Sequence, residues 1–218
     1  MIHTRNVVAH RVCDEAGRAA VVAVLTATYQ REKHWVSEAH SQFPPADVGR
    51  DDTAWFLAEA GGRAAGVVRV LYDPPVAQYA RYGFRVIDPA IRVEDFLGRD
   101  GLAEVGRFAV VPDQRHQIMV AATLMRAVTI ASLERGVTHL ITDVFADDPH
   151  SPYGFHTRVL GFHPVATHDV GELNSRSRRI TLLLDIQAAY KRLQRSNHWF
   201  YRYVTSVLPD RLQQRLAA

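Results

Sequence analysis

The sequence predicts an α/β sandwich, a mixed sheet with helices on its faces, followed by a helical tail. Two observations carry this. Apolar runs of strand length alternate with segments of helical period in the order βαββαβαβαββ, which describes strands separated by covering helices. The turns are also written in the chain: Gly61-Gly62-Arg63 joins two apolar runs as a hairpin, and Gly136 stops the longest helical segment.

Val7 to Val12 reads as the first strand. Asp14 then begins a helix in which Ala20, Val24 and Ala27 recur at helical spacing, running to about Lys33. Trp55 to Ala60 and Ala64 to Tyr72 are the hairpin strands. From Asp73 to Asp100 the pattern is irregular, broken by Pro74, Pro75 and Pro89, with a short helix near Val93 to Leu97. Leu102 to Val111 is a strand ended by Pro112, and Gln117 to Arg135, rich in Ala, Leu and Met, is the best helix. His139 to Phe145 forms a buried strand before the acidic loop Asp147-Asp148-Pro149. A short helix ending in Leu160-Gly161 leads to strands at Phe162 to His168 and Arg179 to Ile186.

At 218 residues, 47% hydrophobic and 22% charged, the chain has room for one well-buried domain, 1–187, and an appendage, 188–218. No apolar run approaches the roughly 18 residues of a spanning helix, and Met1 to His10 lacks a signal core. A cytoplasmic protein is the simplest reading, and the single cysteine, Cys13, fits it as a buried bystander with no motif around it. The net charge of +3 is uneven. Lys191, Arg192, Arg195, Arg202, Arg211 and Arg215 against Asp210 give the tail +5 and leave −2 for the body. Interleaved Tyr190, Trp199, Phe200, Tyr201 and Tyr203 leave two uses open: docking on an acidic partner or an anionic membrane surface, or packing on the domain. Nucleic acid is disfavoured, because the body has no broad positive face and the tail no recognition helix. The eleven histidines lack the spacing of a metal site, so no metal is expected.

The element order, Phe108-Ala109-Val110-Val111-Pro112-Asp113-Gln114-Arg115 and Leu160-Gly161-Phe162-His163-Pro164-Val165 together resemble the GNAT superfamily of acyltransferases over about residues 5 to 187. The resemblance implies a mostly antiparallel mixed sheet with helices on both faces. It also implies a splayed strand whose backbone N–H groups, here of Val110 and Val111, hold a thioester carbonyl while the next loop and helix N-terminus cradle phosphates. Arg115 would touch the donor phosphate, with His116, Gln117 and Ile118 beside it.

One departure bears on the donor. The superfamily places glycines three and five residues after the arginine, so that the backbone can approach the pyrophosphate of coenzyme A; those positions are Ile118 and Val120. A donor on acyl carrier protein has one phosphodiester and no adenosine diphosphate, and the loss of the glycines fits it. The chain is similar here to the branch of acyl-homoserine-lactone synthases and N-acyl amino acid synthases, sharing Trp35 after the first helix, Asp51 or Asp52 before the second strand, Arg69, and Glu104 with Arg107. The acidic residues Glu38, Asp47, Asp51 and Asp52 are looser than in the lactone synthases, and Gly106 replaces a serine; a free amino acid or other small amine is therefore the implied acceptor.

Amine acylation needs a neutral amine, a polarised carbonyl and a proton for the thiolate. Glu104 is the candidate base, on one strand face with Gly106 and Phe108, or else the partner of a structural ion pair with Arg107 or Arg69. Arg69 and Arg107, with Trp35, would bind an amino-acid acceptor through its carboxylate, or the arginines are sheet-edge charges. The superfamily's acidic tyrosine position holds Thr157, so Tyr153, one turn earlier, or the neighbouring His156 is the candidate acid. No permanently bound cofactor is expected, the acyl-phosphopantetheine of acyl carrier protein or acyl-CoA being a co-substrate. Two other readings stay open: a coenzyme A-dependent acetyltransferase with an atypical phosphate loop, and a catalytically silent binding module.

Overall fold

The computed structural model describes residues 7–74, 79, 81–87, 89 and 92–217. The expectations for residues 1–6, the break at Pro75 and residue 218 lie outside the described residues. In chain order the elements are β1 (Val7–Arg11), α1 (Glu15–Leu25), a π-helical continuation (Thr26–Glu32), β2 (Thr53–Ala60), β3 (Arg63–Leu71), β4 (Arg85–Val86), α2 (Val93–Leu97), β5 (Leu102–Val110), α3 (Ile118–Glu134) and β6 (His139–Phe145). A second π-helical turn (Phe155–Leu160), β7 (His163–His168), β8 (Arg179–Asp185), α4 (Ile186–Arg195), α5 (Trp199–Thr205) and α6 (Asp210–Ala217) follow. The strands form one eight-stranded sheet in the order β1-β2-β3-β5-β6-β8-β7-β4. β5 runs parallel to β6, whereas the β1–β2, β2–β3, β6–β8, β8–β7 and β7–β4 pairs are antiparallel. The α/β class is as the sequence predicts. The two-residue β4 is not foreseen, because its sequence carries no alternation; pairing with Thr167 and Ala166 of β7 creates it.

Contacts divide the chain into two compact units, Met1–Leu71 with Val105–Thr129 and Leu173–Ser175, and Tyr72–Glu104 with Ile130–Glu172 and Arg176–Ala218. In the first unit the Asp14 side chain accepts from Gly17 N at 2.7 Å and starts α1, as an N-cap aspartate does. Helical spacing then sends Val21, Val24 and Leu25 inward onto Trp55, Leu57 and Val67, which the period-2 alternation of β2 and β3 presents on one sheet face. Phe43 closes this core by stacking on Trp55, with centroids 4.5 Å apart. Gly61 and Gly62, at φ 60° and 74°, make the expected tight hairpin. Cys13 is exposed, which corrects its reading as a buried bystander: it stands in the short link between β1 and α1, where only Val12 turns into the core.

In the second unit a smaller core gathers Tyr79, Leu97, Leu102, Ile141, Val165 and Ala166, with Tyr82, Phe84 and Leu183 against it. Gly136 takes φ 81° and stops α3 as its sequence signals. The helices of the tail bury Ala189 and Leu193, Phe200 and Val204, and Leu212 and Leu216, three pairs at i,i+4 spacing. Arg215 Nη1 donates to Leu133 O at 3.0 Å, placing a cation on the carbonyl end of α3.

Candidate functional site

The residues that the sequence assigns to donor and acceptor binding fall in the first unit. β5 is not regular through its length: Arg107 has φ 53°, a left-handed conformation that a long side chain adopts only under constraint. The burial alternation is kept around it: Ala103, Val105 and Ala109 are buried, whereas Glu104, Gly106 and Phe108 are half-buried. Arg107 Nε donates to Gln42 Oε1 at 2.8 Å, a partner supplied by the turn before Phe43. Tyr29, on the π-helical continuation of α1, donates to Phe108 O at 3.4 Å. Trp35 meets the Tyr29 ring edge-on, with centroids 5.1 Å apart, and its backbone is held by Tyr29 O and Asn174 N, each at 2.8 Å. Arg69 stands opposite Trp55 in the β2–β3 register.

The end of β5 differs in detail from the expected donor cradle. Val111 N–H is not directed to a ligand, because it donates to Ala65 O at 2.9 Å. The strands approach so closely there that a Cβ on Gly66 would sit 2.8 Å from Ala109 O, so glycine is required. Val110 contributes its carbonyl, which accepts from Arg115 Nε at 3.1 Å. The rest of the Arg115 guanidinium forms a two-pronged pair with Glu32, Nη1 to Oε1 at 2.7 Å and Nη2 to Oε2 at 2.5 Å. The expected phosphate ligand therefore already holds a carboxylate. Gln117 N–H is engaged by Gln114 O at 2.9 Å, whereas His116 is exposed. Ile118 and Val120 separate sharply: Ile118 is 48% exposed at the start of α3, and Val120 is fully buried.

The candidate catalytic residues lie in the second unit. Glu104 Oε2 accepts a 2.6 Å hydrogen bond from the hydroxyl of Tyr79, which is 4% exposed. Burial, followed by the charges of Glu104 and Asp143, holds the Tyr79 phenol well above its ordinary range, so it remains a donor. Asp143, on β6, accepts from Thr181 Oγ1 at 2.7 Å and lies 3.2 Å from His168 Nε2. Tyr82 stacks flat on the His168 ring, with centroids 5.2 Å apart. Tyr153 is 37% exposed, its carbonyl accepting from Thr157 Oγ1 at 2.8 Å. His156 is a correction: it is fully buried against Phe162, its Nδ1 3.0 Å from Pro152 O, and desolvation lowers its pKa to about 4. A neutral ring sealed in the core has no proton to give a thiolate near neutral pH.

A family model described as N-acyl amino acid synthase FeeM matches residues 5–173. The chain belongs to the FeeM family. It is thus a GNAT-type N-acyltransferase. Among solved structures it is similar to FeeM, an N-acyl amino acid synthase from uncultured soil microbes, with a TM-score of 0.64, 19% identity, and coverage of 86% of this chain and 95% of that one. The ribosomal-protein-S18-alanine N-acetyltransferase from Escherichia coli gives a TM-score of 0.55 at 15% identity, over 83% of this chain and 94% of that one. An aminoglycoside 6'-acetyltransferase type Ii gives 0.56 at 12% identity, over 82% and 97%. No curated protein sequence matches significantly.

Three residues of this FeeM-family chain escape sequence reasoning: Glu32, Gln42 and Tyr79. Each lies at the end of an element or in an irregular stretch, and each acts on a residue far away in sequence, so local pattern gives no sign of it. Among the described residues no group of three or more His, Cys, Asp or Glu side chains is placed to hold a metal ion, and no helix is long and apolar enough to cross a membrane.

Proposed function

We propose that the chain transfers an acyl group from the phosphopantetheine thioester of acyl carrier protein to the amine of an amino acid or other small amine, acyl-CoA being the lesser donor. The observation that carries the donor is the start of α3. Where coenzyme A binding wants a glycine the chain carries Ile118, half-exposed at the start of α3; a β-branched residue there disfavours the close backbone approach that pyrophosphate needs, and a single phosphodiester makes a smaller demand.

In this reading Glu104 takes a proton from the acceptor ammonium, and the free amine attacks the thioester carbonyl. The C–N bond forms as the carbonyl oxygen gathers charge, and the Val110 N–H is the candidate donor to that oxygen. Collapse breaks the C–S bond: the thiolate leaves with a proton for which the half-exposed Tyr153 is the candidate source, and the extra proton still on the attacking nitrogen passes to the resulting tyrosinate, leaving a neutral amide. Arg69 and Arg107 hold the acceptor carboxylate beside Trp35, a task suited to guanidinium forks. Arg115 orders the donor loop, with His116, Gln117 and Ile118 facing the phosphodiester.

The tail supports the acidic partner. Arg211 and Arg215 are engaged by Glu134 and Leu133, whereas Arg195 and Arg202 are exposed and serve as the docking charges for acyl carrier protein. The same face would serve a peripheral contact with an anionic membrane from the cytoplasm.

The deciding experiment combines mass spectrometry of extracts from cells overproducing the protein with assays on acyl carrier protein and coenzyme A thioesters. A new N-acylated amine that is absent with Glu104→Gln is the expected result. Efficient thiol release from acetyl-CoA, with acyl carrier protein ignored, would overturn the donor assignment.

A further inference from the structure

The π-helical segment Thr26–Glu32 ends by aiming a carboxylate at the arginine of the donor loop. Glu32 meets Arg115 through both of its oxygens, at 2.7 and 2.5 Å, and Lys33 Nζ lies 3.7 Å from Glu32 Oε1. With Nε on Val110 O at 3.1 Å, the three nitrogens of Arg115 face oxygens of the protein. The pair is largely removed from solvent, the side chains being 22% and 26% exposed, so Arg115 does not exchange this partner as freely as a surface arginine would. An incoming phosphate must displace a carboxylate already in fork-to-fork geometry, and it must do so against that carboxylate's own negative charge.

We infer that Glu32 is a donor-specificity residue: by holding the Arg115 guanidinium it withholds that cation from the phosphates of coenzyme A and favours a donor with a single phosphodiester. The inference rests on the acyl-phosphopantetheine donor proposed above. Repulsion grows with the charge of the ligand, so Glu32 penalises the pyrophosphate and ribose phosphate of coenzyme A more than the lone phosphodiester of acyl carrier protein. The carrier also brings protein contacts that do not depend on Arg115. Glu32 thus acts in the same sense as Ile118, by charge where Ile118 acts by bulk.

The test is Glu32→Gln in the full chain, with coenzyme A and holo acyl carrier protein as titrants in calorimetry and melting curves recorded alongside. Coenzyme A should bind about ten-fold tighter, while affinity for the carrier stays within about two-fold. The gain should vanish in the double variant Glu32→Gln/Arg115→Gln, since it requires the released guanidinium. A purely structural ion pair would lower the melting temperature and leave the ratio of the two affinities unchanged, which would overturn the inference. So would a gain that persists without Arg115. If Glu32→Gln does not fold, Glu32→Asp retracts the carboxylate by one methylene while keeping its charge; a smaller shift of the ratio in the same direction is expected, and an unchanged ratio counts against the inference. These are binding measurements, so they stand apart from turnover. A wild-type protein that acylates no amine from either donor would sink the proposed function and leave this comparison intact.

Discussion

Tyr79 donates its hydroxyl hydrogen to Glu104 Oε2 across 2.6 Å, from within an apolar shell that includes Leu97, Leu102, Ile141 and Val165. Burial keeps the phenol protonated, so the direction of this bond does not reverse in the working pH range. One carboxylate oxygen of Glu104 is therefore fixed, and the orientation of the other follows.

Tyr79→Phe removes the donor and keeps the ring in its core. Expected is a fall in kcat of about ten-fold with the amine KM within about two-fold, as a hydrogen bond to a charged group worth about 1.5–3 kcal/mol is lost. Glu104→Gln still accepts from Tyr79 but is no base, and it should lower the rate at least 100-fold, on the order of a lost general base. Stopped-flow or steady-state assays on both variants check this; an unchanged rate with Glu104→Gln would make the carboxylate structural.

Arg107 is the strained residue of β5 and the proposed acceptor-carboxylate ligand. Its φ of 53° costs on the order of 1–3 kcal/mol for a non-glycine residue, so Arg107→Gly should raise stability or leave it level despite losing the bond to Gln42. If Arg107 binds the acceptor carboxylate as proposed, the same variant should raise the KM for an amino-acid acceptor by about ten-fold or more. Parallel melting and kinetic measurements separate the two effects. A lower melting temperature with an unchanged KM would assign Arg107 to the fold alone.

Much of the fold was legible because its signals are local. Asp14 caps α1, Gly61-Gly62 turns the hairpin and Gly136 stops α3, each through a backbone requirement visible in a few residues. The stretch from Glu104 to Arg115, along β5 and the turn after it, is where the family motif is legible. What the sequence concealed depends on partners distant in the chain: Arg115 meets Glu32 and Arg107 meets Gln42, from 83 and 65 residues away. Composition alone does not separate the tail's two uses. Its +5 charge is compatible with docking or with packing, and that Arg215 sits on the last turn of α3 is visible only in the packing.

That helix-end contact has a measurable consequence. Arg215→Ala should lower stability by about 1 kcal/mol, the usual effect of a lost hydrogen bond at a helix end, as read by chemical denaturation. Acyl transfer from acyl carrier protein should be unchanged. Reduced transfer with unchanged stability would instead mark Arg215 as part of the docking surface.

His156 gives the fold a pH dependence of known sign. Its pKa is about 4 in the fold against 6.5 when unperturbed, so between these values the unfolded chain binds the extra proton. Stability is therefore complete above about pH 6.5 and declines as pH falls toward about 4, by about 3 kcal/mol from this residue. Denaturant titrations of the wild type and His156→Gln across that range should show a flatter profile for the variant, even if its stability at pH 7 is lower. Equal slopes would remove His156 as the cause.

Ile118 and Val120 look equivalent in the sequence, each standing where a glycine is expected, but the structure makes them different experiments. Val120 is fully buried, and a Cβ on Gly66 would lie 3.0 Å from its Cγ1, so Val120→Gly opens a core gap and should cost about 2–4 kcal/mol. Weakened coenzyme A binding in that variant would report damage rather than donor choice. Ile118 is 48% exposed, and Ile118→Gly should cost about 1 kcal/mol or less while clearing the backbone for a pyrophosphate. Tighter coenzyme A binding by Ile118→Gly alone supports the bulk argument. Unchanged affinity would remove Ile118 from donor selection and leave Glu32, through its hold on Arg115, to account for any preference for the carrier.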